Sequence, residues 1–494
     1  MTKDLTFSKY QEAIFKFIKD GKGNAVVNAV AGAGKTFTIT HALSLIPKSK
    51  SVLFIAFNRH IKEELEMKVK KLGLSNVEVM TVHSYGAKAL WFNYKSKLNN
   101  DKVYNVIKTL FPSWGIHEDI VAGYIGRVQR LVELAKLTLA DDITSLTEVA
   151  YQHQIEIQNG EVNHALEVKD LTDRNTRVHD FNDMLYFPVR HKLRTKKFDW
   201  VFVDECQDLS SCAQELMKSA VAPGGRFVAV GDPRQCIYGF AGADVESFNK
   251  LKAIPNTIEL PLSLTYRCGK NIVKQAQTIV PHIEALPTAD EGKVEFSGKI
   301  SDIQDSDLIL SRVNRPLVTL CLKFLGEGRK SYIKGRDIGA NLANMLKKTG
   351  KKSIDEALDA LEVQRHRMIN KLVSRGMGQS EAEESSMIKN YDDKTSAIEI
   401  LAGDFITTKQ VINRIFEIFS DESDGICLSS VHKAKGLEAD RVFIVEPQMM
   451  PVPWAKQDWE IEQEDNIRYV AYTRAKKELM IIPQSEFTTY KIKE

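Results

Sequence analysis

The residues best suited to chemistry lie between Asn24 and Thr36, where an apolar run is followed by a loop of small residues. The apolar run predicts a buried strand, and Lys35 predicts the start of a helix. Because glycine tolerates positive φ, Gly32 and Gly34 allow the loop's N–H groups to cradle a phosphate. Lys35 is then expected on the β- and γ-phosphates of a nucleotide, and the Thr36 hydroxyl on Mg²⁺. The alternative is a turn of small residues that precedes a Lys-Thr pair by chance. The nucleotide-binding residues predicted for this loop are Ala31, Gly32, Ala33, Gly34, Lys35 and Thr36.

Two adjacent carboxylates form the second half of the expected site. The apolar run 198–203 predicts a buried strand, and Asp204 and Glu205 follow it directly. Carboxylates at the end of a buried strand are costly unless they hold a metal or act on water. Asp204 is therefore expected to hold Mg²⁺, directly or through water, and Glu205 to polarise the attacking water. The alternative is a solvated acidic turn, and the phosphate loop argues against it.

Gln11 and two predicted strand ends supply further candidate contacts. The amide of Gln11 can donate and accept at once, which suits the N6 and N7 edge of adenine; a surface glutamine is the alternative. The predicted strands 51–57 and 77–82 end in polar and aromatic residues, at the sheet edge where α/β proteins bind ligands. Phosphates and stacked bases suit that mixture, and solvated strand ends are the alternative. These strand ends offer as candidate DNA contacts Phe57, Asn58, Arg59, Thr81 and His83.

The composition is that of a globular protein. The 494 residues are 43% hydrophobic and 27% charged, and the length suits about three or four domains. A net charge of +3 means that nucleic-acid binding must come from a local surface, because the chain is not basic overall. The six cysteines form no C-x-x-C pair, so no zinc or iron–sulfur framework is indicated. Without a signal-peptide core or a run of about 18 apolar residues, we expect a soluble intracellular protein, cytoplasmic or nuclear, with no membrane partner.

Several segments occur in an order that resembles a known family. They are Gly-Asp-Pro-Arg-Gln at 231–235, the runs 260–268, 425–438 and 466–475, the phosphate loop and the acidic pair. The chain resembles the UvrD/Rep/PcrA type of superfamily 1 DNA helicase, and some of its motif sequences are closer to the helicase core of the F-box DNA helicases. In this superfamily the phosphate loop commonly opens with alanine, as at Ala29 here, instead of glycine.

The resemblance implies an α/β fold with two RecA-like parallel-sheet motor domains, each carrying a mainly helical inserted subdomain. The first motor domain is expected at 1–86 and 176–260, with its helical insertion at 87–175. The second is expected at 261–335 and 422–494, with a short helical insertion at 336–421.

The resemblance also implies a nucleotide held between the two motor domains. Tyr266 is implied to stack on adenine and Glu438 to meet the ribose. ATP and Mg²⁺ are the expected substrate and cofactor. The residues implied to act on the γ-phosphate or on the attacking water are Lys35, Glu205, Gln235, Arg267 and Arg474.

Further DNA contacts follow from the resemblance alone. Ser430 and His432 are implied to touch the DNA backbone, and Phe57 and Phe240 to stack on bases. Stacking does not read the base, so the motor is expected to be largely indifferent to DNA sequence. Packing in the core is the alternative for both phenylalanines.

The implied function is an ATP-driven translocase that moves 3′ to 5′ on single-stranded DNA and separates duplexes in replication, repair or recombination. Single-stranded DNA and single-strand/duplex junctions are the expected partners, and protein partners stay open. One alternative is a translocase that strips proteins from single strands with little unwinding. Another is an ATP-gated DNA clamp, which an intact set of Lys35, Glu205, Arg267 and Arg474 argues against.

Overall fold

The computed structural model describes residues 6–116, 121–153, 155, 157, 160–237, 244, 246–374, 376–421 and 424–488. The chain divides into two units, Met1–Leu264 and Thr265–Glu494. Each unit contains one large parallel β-sheet with helices, so the predicted α/β class with two parallel sheets is confirmed.

The first unit is built on six parallel strands in the order β3-β2-β6-β7-β1-β8, with the short pair β4-β5 apart from them. The strand β2 is buried along its whole length, as expected of a parallel strand covered on both faces. The strands are β1 (Asn24–Ala29), β2 (Val52–Ala56), β3 (Val77–Thr81), β4 (Lys97–Leu98), β5 (Val178–His179), β6 (Phe198–Val203), β7 (Val221–Gly231) and β8 (Thr257–Leu262).

The helices of the first unit include a group, α5 to α8, that has an apolar core of its own around Val128, Leu131 and Val168. This group falls in the stretch where the sequence predicts a helical insertion. The helices are α1 (Lys9–Asp20), α2 (Lys35–Ser44), α3 (Arg59–Lys71), α4 (Val82–Tyr94), α5 (Lys102–Leu110), α6 (Val121–Thr138), α7 (Ile143–Gln152), α8 (Glu161–Arg174), α9 (Asp183–Arg190), α10 (Ser211–Ala220) and α11 (Ser247–Lys252).

The second unit is built on seven parallel strands in the order β11-β17-β16-β12-β15-β13-β14. The short strands β9 and β10 pair with each other. The strands are β9 (Leu264–Thr265), β10 (Glu284–Ala285), β11 (Lys293–Glu295), β12 (Leu308–Ser311), β13 (Ser331–Lys334), β14 (Phe419–Ser420), β15 (Ile426–Ser430), β16 (Ala439–Val445) and β17 (Ala475–Ile482).

The helices between β13 and β14 share one apolar core with this sheet, in which Leu346 and Leu401 join Ile309 and Phe443. Among the described residues no helix is long and apolar enough to cross a membrane. The helices of this unit are α12 (Lys270–Ala276), α13 (Arg315–Gly326), α14 (Arg336–Lys348), α15 (Ile354–Val373), α16 (Gln379–Glu383), α17 (Ser386–Ala402), α18 (Thr408–Ile418), α19 (Asp458–Tyr472) and α20 (Gln484–Thr488).

A buried charged cluster joins the helical group of the first unit to the segment between β5 and α9. Lys136 Nζ lies 2.7 Å from Asp180 Oδ2 and 2.7 Å from Asp183 Oδ1, and Lys102 Nζ lies 2.8 Å from Asp183 Oδ2. Asp183 N–H donates to Asp180 Oδ1 at 2.8 Å. Because a buried charge is costly without a partner, this mutual pairing holds both aspartates in place. It thereby fixes Phe181, the residue that follows Asp180.

Candidate functional site

The loop between β1 and α2 has the backbone that a phosphate cradle requires. Gly32 has φ 71° and Gly34 has φ 73°, both in the left-handed region that favours glycine. Helix α2 begins at Lys35, directly after Gly34, so the start of a helix lies at the open end of the loop. Ala31 and Ala33 are buried in the same turn.

Lys35 points at the acidic pair that the sequence predicts as its partner. Its Nζ lies 2.8 Å from Glu205 Oε1. The two residues meet because β6, β7 and β1 are neighbouring parallel strands, so their carboxyl ends share one sheet edge. Burial alone would lower the pKa of Lys35, but the carboxylates of Glu205, Asp204 and Asp232 raise it above its ordinary value. Lys35 is therefore a firmly charged ammonium in an acidic pocket.

Asp204 is buried, and Glu205 next to it has an uncommon backbone conformation. Asp204 is 3% exposed, and burial, followed by the nearby charge of Glu205, raises its pKa to about 7. Glu205 has φ 51°, a left-handed conformation that is uncommon for a residue with a side chain. Such conformations concentrate at functional sites, where the surrounding structure maintains them. The alternative of a solvated acidic turn is wrong, because Asp204 is buried.

This acidic pocket fits a magnesium ion. Mg²⁺ takes oxygen ligands and is usually bound by one or two carboxylates together with substrate phosphates. Asp204 offers a buried carboxylate whose charge is disfavoured as the pocket stands, and a divalent cation would offset that penalty. Thr36 is the first hydroxyl of α2 and follows Lys35 directly. Asp204 and Thr36 stay the predicted ligands of the ion.

Gln207 links the acidic pair to the end of β7, and sequence reasoning missed it. Its Nε2 donates to Glu205 Oε2 at 2.5 Å, and its Oε1 accepts the Asp232 N–H at 3.0 Å. Gln235 Nε2 donates to Asp232 Oδ2 at 2.7 Å. Glu205, Gln207, Asp232 and Gln235 therefore form one continuous chain of hydrogen bonds. The signal available in the sequence was position alone, since Gln207 follows Glu205 by two residues.

Gln11 is a buried residue that ties α1 to α2. It is 2% exposed, so the alternative of a surface glutamine is wrong. Its Oε1 accepts the Ser8 N–H at 3.0 Å, and its Nε2 donates to Thr38 Oγ1 at 3.0 Å. The amide is thus oriented by the helix that follows the phosphate loop. An adenine contact for Gln11 stays a prediction.

In the second unit Arg267 and Glu438, which the sequence assigns to the nucleotide, lie together. Arg267 Nε lies 2.7 Å from Glu438 Oε2, and Lys476 Nζ lies 2.7 Å from Glu438 Oε1. Burial opposes ionisation of Glu438, but the hydrogen bond from Lys476 and the charge of Arg267 hold its pKa below the ordinary value. Tyr266, next to Arg267, is 43% exposed.

Arg474 belongs to the same cluster but is held differently. It is 1% exposed, and its Nε and Nη1 donate to the carbonyl oxygens of Val470 and Leu437 at 3.0 and 3.1 Å. Burial, followed by the charge of Arg267, lowers the pKa of Arg474 to about 10. The guanidinium stays charged at neutral pH, and backbone dipoles solvate it.

Two of the predicted DNA contacts cap helices at the same edge of the first sheet. Asn58 Oδ1 accepts the Ile61 N–H at 2.9 Å at the start of α3, and Thr81 Oγ1 accepts the Ser84 N–H at 3.1 Å at the start of α4. Arg59 pairs with Glu63 at 2.7 Å. Phe57 is 41% exposed, so the core-packing alternative is wrong for this residue. The edge presents two helix N-termini, which favour phosphate, beside an exposed ring.

His83 is covered by an aromatic ring that sequence reasoning missed. The rings of His83 and Phe181 stack with centroids 4.1 Å apart and planes 21° apart. Burial lowers the pKa of His83 to about 4, so its imidazole is neutral at pH 7. Phe181 is 54% exposed, which leaves much of its surface open. The pair is a neutral aromatic surface of the kind on which unpaired bases stack.

The remaining predicted DNA contacts belong to the second unit, apart from Phe240, which lies outside the described residues. Ser430 ends β15 and is 7% exposed, and its Oγ accepts the Lys433 N–H at 3.4 Å. Burial, followed by the charges of Arg312 and Lys433, lowers the pKa of His432 to about 3. His432 is therefore neutral at pH 7 and could meet a phosphate only through a hydrogen bond.

The strand ends of this parallel sheet bring together a phosphate loop with two glycines, a lysine and two carboxylates. This combination defines the class of P-loop nucleoside triphosphate hydrolases. The comparisons with known families agree. The UvrD/REP helicase N-terminal domain matches residues 10–255, and the UvrD-like helicase C-terminal domain matches residues 330–486. The chain belongs to the UvrD/REP helicase family, a class of ATP-driven DNA helicases, and the predicted resemblance is confirmed.

Three relatives illustrate the range of similarity. F-box DNA helicase protein 1 of Schizosaccharomyces pombe is 25% identical over 512 residues, with 92% of this chain and 55% of that protein covered. The probable DNA helicase II homolog of Mycoplasma genitalium is 23% identical, with 96% and 85% covered. ATP-dependent DNA helicase PcrA of Staphylococcus aureus is 24% identical, with 94% and 82% covered. The chain thus spans about half the length of its F-box relative and most of the length of the bacterial ones.

Proposed function

We propose that this chain is an ATP-dependent DNA helicase that moves 3′ to 5′ on single-stranded DNA and separates duplexes at single-strand junctions. The observation that carries the proposal is the Lys35–Glu205 ion pair of 2.8 Å in an acidic pocket at the phosphate loop. Relatives named as DNA helicases support the coupling to DNA. The direction of movement rests on the family resemblance.

Before nucleotide binds, Lys35 and Glu205 neutralise each other. A bound triphosphate would draw the Lys35 ammonium onto its β- and γ-phosphates, because several phosphate charges outweigh one carboxylate. Glu205 would then be released to accept a hydrogen bond from the attacking water and to take its proton. Magnesium, held by Asp204 and Thr36, would supply positive charge to the phosphates. The ion pair is therefore a resting arrangement that the substrate itself undoes.

Gln207 would couple the release of Glu205 from Lys35 to the residues at the end of β7. It holds Glu205 at one end of its amide and the Asp232 N–H at the other. A shift of Glu205 would alter its hydrogen bond to Gln207. The hydrogen bonds from Asp232 to Gln207 and from Gln235 to Asp232 would then change as well. Gln207 is thus a positioning residue for the γ-phosphate site.

Arg267 and Arg474 would contribute positive charge as charge develops on the γ-phosphate during transfer. Arg267 would exchange Glu438 for phosphate, whereas Arg474 keeps its backbone carbonyl partners. On the DNA side, Phe57 and the pair of Phe181 and His83 offer rings to unpaired bases without selecting among them.

The test is an unwinding assay on matched 3′-tailed, 5′-tailed and blunt duplexes with the wild-type chain and a Glu205→Gln variant. We expect ATP-dependent strand separation of the 3′-tailed duplex alone, and none by the variant. Unwinding from a 5′ tail would overturn the direction. If no duplex opens although single-stranded DNA stimulates ATP hydrolysis, the result favours a translocase that strips proteins. If the rate of ATP hydrolysis does not depend on DNA, the result favours an ATP-gated clamp.

A further inference from the structure

Two aromatic side chains at the end of α4 are unusually exposed. Trp91 is 70% exposed and Phe92 is 62% exposed, although large aromatic residues are normally buried to a high degree. They are adjacent on the last turn of the helix, so their rings leave it in directions about 100° apart. Neighbouring exposed rings of this size mark a surface that contacts something else.

Exposed cationic residues lie beside Phe92 and in the segments that follow α4 and lead into β5. The guanidinium carbon of Arg194 lies 5.8 Å from the centre of the Phe92 ring, and Asn93 Nδ2 donates to the Arg194 carbonyl oxygen at 3.0 Å. Lys97 N–H donates to the Arg177 carbonyl oxygen at 3.0 Å, which brings β4 beside the segment that leads into β5. We call this surface the Trp91 patch, and its exposed members are Trp91, Phe92, Lys95, Lys97, Arg177 and Arg194.

The chemistry of the patch favours one kind of ligand. Cations attract phosphates, and exposed ring faces stack on bases, a combination typical of surfaces that bind single-stranded nucleic acid. A duplex would satisfy the cations but not the rings, since its bases are already stacked. The net charge of the whole chain is only +3, whereas this patch combines four exposed cations with two exposed aromatic rings.

We propose that the Trp91 patch is a second contact for single-stranded DNA, which extends the DNA surface at the other end of α4. His83 lies at the start of this helix and Trp91 eight positions later, a separation of ~12 Å at 1.5 Å per residue. One strand that stacks on the His83 and Phe181 pair can therefore continue along α4 to the patch. The inference rests on the proposed DNA-motor function and adds a segment of DNA path outside the predicted contacts.

The test measures how affinity depends on oligonucleotide length. The wild-type chain and a Trp91→Ala/Phe92→Ala variant are titrated with oligothymidylates from about 4 to about 20 nucleotides, a range that brackets the known site sizes of such surfaces. We expect equal affinity for the shortest oligonucleotide and at least a fivefold loss by the variant for the longest. Trp91→Phe should keep the wild-type affinity, because it keeps a ring to stack on.

A matched control guards against a general effect of removing exposed aromatics. Tyr151 on α7 is 67% exposed and carries no adjacent lysine or arginine in the sequence, so Tyr151→Ala should leave the affinity at every length unchanged. Because Trp91 and Phe92 are largely exposed, the double variant should also melt at the wild-type temperature.

Salt dependence gives a second readout. Each phosphate contact that is removed should reduce the slope of log affinity against log salt by about 0.7 for single strands. Lys97→Ala should show this reduction with the long oligonucleotide, and Lys108→Ala, an exposed lysine on α5, should not.

The outcomes separate the inference from the proposed function. Wild-type affinity of the double variant at all lengths overturns the inference. An equal loss at all lengths also overturns it, because the patch would then belong to the primary contact. A wild-type chain that binds no oligonucleotide at any length rejects the DNA-motor function itself.

Discussion

The two units arrange their candidate nucleotide and DNA residues in opposite ways. In the first unit both sets lie at one sheet edge, with DNA candidates at the ends of β2 and β3 and nucleotide candidates at the ends of β6, β7 and β1. In the second unit, Ser430 lies at the carboxyl end of β15, whereas Glu438 and Arg474 precede the amino ends of β16 and β17. These strands are parallel, so the two sets lie at opposite edges, ~20 Å apart for a strand of about six residues.

The charged groups also differ in what holds them. Lys35 is held by an ionisable partner, Glu205. Glu205 is itself the proposed acceptor of the proton from the attacking water. Arg474 is held by backbone carbonyl oxygens, which are permanent parts of the fold. Lys35 is therefore poised to change partners, whereas Arg474 is a structural element of its unit that also carries charge. Substitutions can separate these two roles.

The largest effect is expected from Lys35→Ala. Loss of the only lysine of the phosphate loop should reduce ATP hydrolysis by about a thousandfold or more, because this charge serves both binding and transfer of the phosphate. Phosphate release measured with saturating single-stranded DNA is the readout. Lys48→Ala, which removes an exposed lysine beyond α2, should hydrolyse ATP like the wild type, and near-normal hydrolysis by Lys35→Ala would contradict the site.

Arg267→Ala and Arg474→Ala should both impair hydrolysis, but Arg474→Ala should destabilise the protein more. Removing the Arg474 guanidinium takes one donor from the buried Val470 carbonyl oxygen and one from the part-buried Leu437 carbonyl oxygen, at up to roughly 1–3 kcal/mol each. The Arg267–Glu438 pair is partly exposed and contributes little to stability, and Arg267 donates to only one backbone carbonyl oxygen, that of Thr473, at 3.1 Å. A thermal melt beside the hydrolysis assay separates the variants. Equal melting temperatures would show that Arg474 is not the structural element we describe.

Gln207→Ala tests whether the strand ends of the first unit work as one hydrogen-bonded chain. We expect ATP to bind as in the wild type and hydrolysis to fall by about tenfold, because Glu205 and the Asp232 N–H lose their common partner. Nucleotide binding and DNA-stimulated hydrolysis are measured together. Gln214→Ala removes another buried glutamine, on α10, and should leave hydrolysis unchanged; the same loss in both variants would point to a general packing defect.

The smallest effect is expected from Phe181→Ala. Loss of one stacking ring should raise the DNA concentration for half-maximal hydrolysis by about fivefold or more, since base stacking contributes ~1–3 kcal/mol per base. The melting temperature should not change, because the side chain is 54% exposed. Phe187→Ala, at a fully buried position nearby, should instead lower the melting temperature. If Phe181→Ala leaves the DNA dependence unchanged, the ring is not part of the DNA surface.

The sequence predicted those parts of the molecule that depend on local pattern. Continuous apolar runs such as Val52–Ala56 indicated buried parallel strands, and the chain order of the motifs indicated two units. Because parallel strands end at a common edge, the meeting of Lys35 with Glu205 could be predicted without coordinates.

Contacts between distant loops could not be predicted in this way. Gln207 reaches Asp232 only because residue 231 is glycine, since a Cβ at that position would overlap Gln207 Oε1. Phe181 meets His83, 98 positions away in the chain, because the buried lysines and aspartates around Asp180 fix its backbone. No short motif records either dependence, since both arise from packing.

We expect ATP hydrolysis at Lys35 and Glu205 to be driven by single-stranded DNA. The most direct measurement is the steady-state hydrolysis rate of the wild-type chain and of Glu205→Gln, each with and without single-stranded DNA, beside ATP binding by both. We predict weak hydrolysis without DNA, a strong rise with DNA for the wild type, and no rise for Glu205→Gln although it binds ATP normally. A wild-type rate that does not respond to DNA, or a variant that hydrolyses ATP at a near-normal rate, would contradict the account.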